Sequence, residues 1–154
     1  MKRFLIALLL LALPAGGWAR MIPTYSGQEL FDRADVVVIG KPRSVHDTDE
    51  ALPPDNWPGF RHGVETEFQI SGVLKGDRSL KTVILHTFRF ADADQWISSS
   101  INGPGIYLFD PKQPDFYLLF LVSDKEGRYE PLSGTLDWAG ISVLKLKGDL
   151  LRLP

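Results

Sequence analysis

Between Val64 and Phe88 the residues spell out a bulged hairpin. Val64, Thr66, Phe68 and Ile70 alternate with Glu65, Glu67 and Gln69, the period-two pattern of a strand with one face in water. Ser71-Gly72 interrupts the alternation, and a glycine inside a strand pattern marks a bulge or a sharp bend. Lys75-Gly76-Asp77-Arg78 then turns the chain, with Gly76 supplying the unusual φ that such a turn requires. Leu80 to Phe88 returns as a second strand. A long, bulged hairpin coils strongly, and a coiled hairpin is what a small barrel bends around.

The rest of the chain is read against that hairpin. Ser26-Gly27-Gln28-Glu29 has the spacing of a capping box, so a two-turn helix follows with Leu30, Phe31 and Ala34 on its buried side. Asp35 to Gly40 is rich in β-branched residues and reads as a central strand buried on both faces. It continues through Val45, with Pro42 at an edge or a bulge. Asp92-Ala93-Asp94-Gln95 offers a second helix start, with Gln95 to Ser100 as a short helix ended by Asn102-Gly103-Pro104-Gly105. Ile106–Phe109, Phe116–Val122, Arg128–Leu132, Thr135–Ala139 and Ile141–Leu146 are the remaining β segments, separated by turn residues. Short strands, frequent turns and a bulged central hairpin predict a mainly β chain. The expected fold is a small five-stranded OB-like barrel with one or two short helices. Val37, Ile39, Phe68, Ile70, Val83, Leu85, Leu119 and Leu121 are its expected core.

Lys2 and Arg3, the apolar run Phe4 to Leu13 and the small residues Gly17 and Ala19 form a secretory leader. Ten apolar residues are too few to span a bilayer, which takes roughly twenty. Cleavage after Ala19 divides the chain into a signal peptide, residues 1–19, and one domain, residues 20–154. Of the 17 basic residues two leave with the leader, so 15 face 19 acidic ones and the remaining domain carries a charge of −4. That balance disfavours polyanion binding, which shows as a basic excess. There is no cysteine, which excludes disulfides, thiolate metal sites and a cysteine nucleophile. The leader together with this absence points to a periplasmic or extracellular protein.

No catalytic constellation stands out. His46, His62 and His86 could join Asp47, Asp49 or Glu50 around a metal, but none has a tight ligand spacing. His86 beside Leu85 reads instead as a structural histidine with its hydrogen bonds met. Asp92 and Asp94 are explained by helix capping, and Ser98-Ser99-Ser100 lacks a nucleophile elbow. The glycines Gly72, Gly76, Gly103 and Gly105 form no phosphate-binding loop. Lys75, Arg78 and Lys81 read as solvated charges at a hairpin tip. A face of Trp57, Phe68, Phe88, Arg89 and Phe90 could bind single-stranded nucleic acid, against which the leader and the acidic charge both weigh.

The polar, proline-rich interval His46–Arg61 reads as a long loop between the first two strands, and binding tends to reside on such loops. Its aromatics, Trp57 and Phe60, are the candidate partner-binding residues. Either they anchor a ligand or they fold back over the open end of the barrel. Trp57, between Asn56 and Pro58, suits capping; Phe60, beside Gly59, suits recognition.

Several of these segments resemble a known family. Ala34-Asp35-Val36-Val37-Val38-Ile39-Gly40-Lys41, the run Thr66 to Gly76 continuing to Asp77, Tyr117-Leu118-Leu119-Phe120-Leu121 and Arg128-Tyr129-Glu130-Pro131-Leu132-Ser133-Gly134 are similar to the bacterial, cysteine-free relatives of the tissue inhibitors of metalloproteinases. The resemblance covers residues 26 to 146 and implies a netrin-like OB barrel in a secreted protein, with no established reaction. Inhibition in that family works through an N-terminal cysteine that chelates the protease zinc. The expected mature N-terminus here is Arg20, so that mechanism does not transfer, and fold similarity alone does not license it. The expectation is a secreted, non-catalytic domain without cofactor or metal that binds a protein, a peptide or an envelope component. The alternatives are a secreted metal-dependent hydrolase using the His and Asp residues near the loop, and a protease inhibitor that acts without an N-terminal cysteine.

Overall fold

In the computed structural model residues 25–50, 60–90, 108–134 and 140–146 are described, Phe60, Arg61 and Phe90 for their backbone alone. The helix α1 (Gly27–Arg33) leads into six strands, β1 (Val36–Asp47), β2 (Phe60–Lys75), β3 (Thr82–Phe90), β4 (Phe116–Ser123), β5 (Tyr129–Pro131) and β6 (Val143–Leu146). Strands β1, β2 and β3 are joined antiparallel in sequence order, β3 runs parallel to β5, and β5 lies antiparallel to β4. Strand β4 then pairs with β1, from Val36 opposite Leu121 to Gly40 opposite Tyr117. The ring is closed, a five-stranded barrel of OB type. Strand β6 lies along Phe116–Leu119 of β4, on the edge that β5 takes farther on. No helix among the described residues is long and apolar enough to cross a membrane.

The bulge forms where the alternation breaks. Ile39 faces Gly72 and Gly40 faces Ile70, which leaves Ser71 as the extra residue. Gly76 has a φ of 105°, so the turn at the hairpin tip needs its glycine. A further register shift lies between Pro42 and Ser44, which is how β1 accommodates a residue without an N–H. Long strands with shifts of this kind let a short sheet curl until its edges meet.

Two apolar clusters result. Inside the barrel lie Val36, Val38, Phe68, Val83, Leu85, Tyr117, Leu119, Leu121 and Val143, with Phe109 edge-on to both Phe68 and Tyr117. Outside it, α1 lays Leu30 and Ala34 against Val37 and Phe120, so β1 is buried on both faces. The capping box is complete: Ser26 Oγ accepts from the Glu29 amide and the Ser26 amide donates to Glu29 Oε2.

Some expectations change. Ile39 and Ile70 flank the bulge and are half-buried rather than fully buried, with Ile70 packed against the margin of the barrel core. Strand β2 begins at Phe60 and not at Val64, and β1 runs to Asp47. Leu108 and Phe109 are irregular rather than strand, and the last strand starts at Val143. The expected helix at Gln95–Ser100 and the segment Thr135–Ala139 lie outside the described residues.

Candidate functional site

On the outer face of β2 and β3, Glu65 stands opposite His86 and Glu67 opposite Ile84. Outward positions of a barrel strand are normally wet, yet His86 is only 3% exposed. The chain beyond β1 covers it. Thr48 donates its amide to Gly63 O and the Gly63 amide donates to Glu50 O, each at 2.8 Å. A side chain at position 63 would run into Thr48 Oγ1 and stand 3.1 Å from His86 Nε2. Glycine there is what allows the chain to close over the imidazole.

The turn between β4 and β5 covers the other side. Asp124 Oδ1 accepts the amides of Glu126 and Arg128, and the Asp124 amide returns a bond to Arg128 O. Gly127, with φ 81°, makes the turn. Arg128 is thereby held 12% exposed, and its guanidinium reaches four carboxylates: Asp124 through Nε at 2.8 Å, Glu50 and Glu65 through Nη1 at 2.5 and 3.2 Å, and Glu126 through Nη2 at 2.8 Å. The five donors of one planar group suit this arrangement as an ammonium would not. It fastens the turn after β4, strand β2 and the chain after β1 to one another.

The electrostatics follow from that geometry. The hydrogen bond to Glu50 is the first cause that raises the Arg128 pKa, against burial and with help from Asp124 and Glu65. Arg128 in turn holds the Glu50 carboxyl below its ordinary value. Burial pushes the Asp124 carboxyl up, but the hydrogen bonds from Arg128 and Glu126 outweigh it and the net shift is downward. All four carboxylates are counted against one guanidinium, so the cluster keeps an excess of negative charge.

His86 is buried but unsatisfied, which corrects the expectation of a structural histidine with its bonds met. Neither ring nitrogen has a hydrogen-bond partner among the described residues. Glu50 Oε2 is 3.2 Å from Nε2, close enough for attraction without the alignment of a hydrogen bond. The parallel pairing of Leu85 with Tyr129 brings Glu130 to the neighbouring position on the same face. Ligand atoms of His86, Asp124 and Glu130 lie within 4.8 Å of one another. Beside this cluster an open groove of about 210 Å³ is lined by Ser44, His46, Glu65, Glu67, Thr82 and Ile84.

Of the candidate partner-binding residues, Trp57 lies outside the described residues, and Phe60 pairs with Phe90 in the β2–β3 ladder instead of sitting in a free loop. His46 and His62 are exposed; His46 stands opposite Glu65, one strand beyond His86, and neither joins the His86, Asp124 and Glu130 group. Asp47 pairs with Arg89. Asp92, Asp94 and Ser98–Ser100 lie outside the described residues. Lys75 is not a free charge: its ammonium donates to the carbonyls of Phe31 and Asp32 and closes the C-terminal end of α1. Phe68 is fully buried inside the barrel, which removes it from any base-stacking face. Asp124, Arg128 and Glu130 were not singled out by residue type. The one local signal was the Asp124-x-x-x-Arg128 spacing around Gly127.

A scan against protein-family models finds no match for this chain, and a search of curated proteins finds none either.

Proposed function

We propose that this chain is a secreted, non-catalytic binding domain whose ligand is a protein or peptide that presents basic side chains to the β2–β3 face. OB-type barrels take ligands on the face of their second and third strands, between the β1–β2 and β4–β5 connections. That is an argument by fold and carries only associational weight. The observation that carries the reading is chemical: on this face Glu50, Glu65, Asp124 and Glu126 surround a single guanidinium, and Glu67 lines the groove alongside. Such a surface attracts cations and repels phosphate backbones. The resemblance to cysteine-free relatives of the tissue inhibitors belongs to the same proposal, with a protein partner and no zinc-chelating N-terminus.

Fluorescence anisotropy with a labelled lysine-rich peptide and a glutamate-rich one tests this, at about 50 mM and about 300 mM salt to vary the screening. The lysine-rich peptide alone should bind, more weakly in high salt and severalfold more weakly to a Glu67→Gln/Glu126→Gln double variant. Equal binding of both peptides, or indifference to the double variant, would sink the reading. Cleavage of the peptide would favour the rival, a metal-dependent hydrolase, for which the buried His86 among carboxylates is the supporting feature.

A further inference from the structure

We infer that His86, Asp124 and Glu130 form a binding site for a divalent cation of the zinc class. A buried imidazole with two unpartnered nitrogens is costly, and buried polar groups almost always find partners. Among the described residues His86 is such a group, and it stands among carboxylates: its ligand atom and those of Asp124 and Glu130 lie within 4.8 Å of one another. Zinc held at its usual bond lengths draws ligand atoms to about 3.4 Å apart, so side-chain rotation by little more than an ångström closes the set. One imidazole nitrogen with two carboxylate oxygens suits zinc. Calcium and magnesium take six or more oxygens and leave imidazole aside.

The surroundings fit a ligand set. Asp124 is held in place by two backbone amides and the Arg128 side chain, the outer support that orients a ligating carboxylate. Glu50 Oε2, 3.2 Å from His86 Nε2, adds a carboxylate beside the ring, the kind of neighbour that orients an imidazole ligating through its other nitrogen. Arg128 spends its charge on Glu50, Glu65, Asp124 and Glu126, and Glu130 has no ion pair among the described residues. Three protein ligands leave a fourth position for water or for a donor from a bound partner. The inference stands apart from the peptide proposal, since zinc can bind whether or not a basic peptide does.

The test uses the secreted chain prepared without a polyhistidine tag and stripped with a chelator. Zinc titrated by calorimetry should bind at one equivalent, and cobalt in its place should give the intense visible bands of a tetrahedral site. Glu130→Gln, a half-buried position that leaves the core intact, should weaken zinc by at least about tenfold, and His86→Asn should weaken it further. His62→Gln, an exposed position outside the groove, should change nothing. The absence of saturable zinc binding, an affinity unchanged by Glu130→Gln, an equal loss in His62→Gln, or tighter binding of calcium than zinc would each overturn the site.

Discussion

On β1 and β4 the outer surface presents Val37, Leu118 and Phe120, and α1 covers them with Leu30, Phe31 and Ala34. On β2 and β3 the outer surface presents Glu65, Glu67 and His86, and the covers are the chain at Thr48–Glu50 and the turn at Asp124–Arg128. Both faces lose water, by different forces. Apolar burial is non-directional and needs only volume and fit. Polar burial needs each donor matched in direction, and where matching is incomplete it leaves charge and an orphaned imidazole behind. The first face is a scaffold, and the second has the chemistry of a site.

Truncating each cover separates the two kinds of burial. Phe120→Ala should cost about 3–5 kcal/mol in a denaturant melt, the range for a large buried aromatic, with the same loss at low and high salt. A loss under about 1 kcal/mol would mean that α1 contributes little and that the face is not apolar core.

Arg128→Leu should cost less, roughly 2 kcal/mol, because several of its hydrogen bonds go to partly exposed carboxylates that water can still solvate. Here the loss should shrink as salt rises, since it includes repulsion among the carboxylates left behind. A salt-independent loss would break the comparison by making the arginine a packing residue.

Gly63→Ala acts on the polar cover alone. Its methyl would meet Thr48 Oγ1 and crowd His86, so it should cost about 1–2 kcal/mol as a small overpacking defect. Hydrogen exchange at Thr48 and Gly63 should quicken while exchange in α1 does not. Uniform quickening would argue that the two faces are not separable.

The smallest effect is at the entry to α1. The Glu29 carboxyl is held below its ordinary value of 4.5, first by the Ser26 amide. A depressed carboxylate stabilises the fold above its unfolded pKa, and the contribution is lost as pH falls through the lower folded value. The stability gap between the wild type and Glu29→Gln should therefore be open at neutral pH and close below pH 4.5. A gap that widens on acidification would contradict the capping geometry.

How far the chain could be read depended on the range of the forces involved. The helix at Gly27 was legible because its capping box spans four consecutive residues. The bulge beside Gly72 and the turn at Gly76 were legible because alternation and backbone freedom are local. The half-burial of Ile39 and Ile70, with Ile70 at the margin of the core, was not legible because alternation does not say how far a bulge exposes the residues beside it. The start of β2 was placed late because Phe60–Gly63 looks like loop composition, and only pairing with β3 makes it strand.

The candidate site was legible in its parts but not in its assembly. Glu50 and Arg128 are 78 residues apart, and Glu65 and Arg128 are 63; no spacing rule joins them. The approach of Glu130 to His86 depends on a parallel pairing of β3 with β5, and parallel partners are chosen by closure of the barrel rather than by any turn. Residue order determined the barrel class, its helix and its bulge, since these follow from steric and hydrogen-bond preferences within a few residues. Only the closed tertiary structure decided that an outward-facing histidine would be buried among carboxylates, because that burial requires two distant connections to fold over one face.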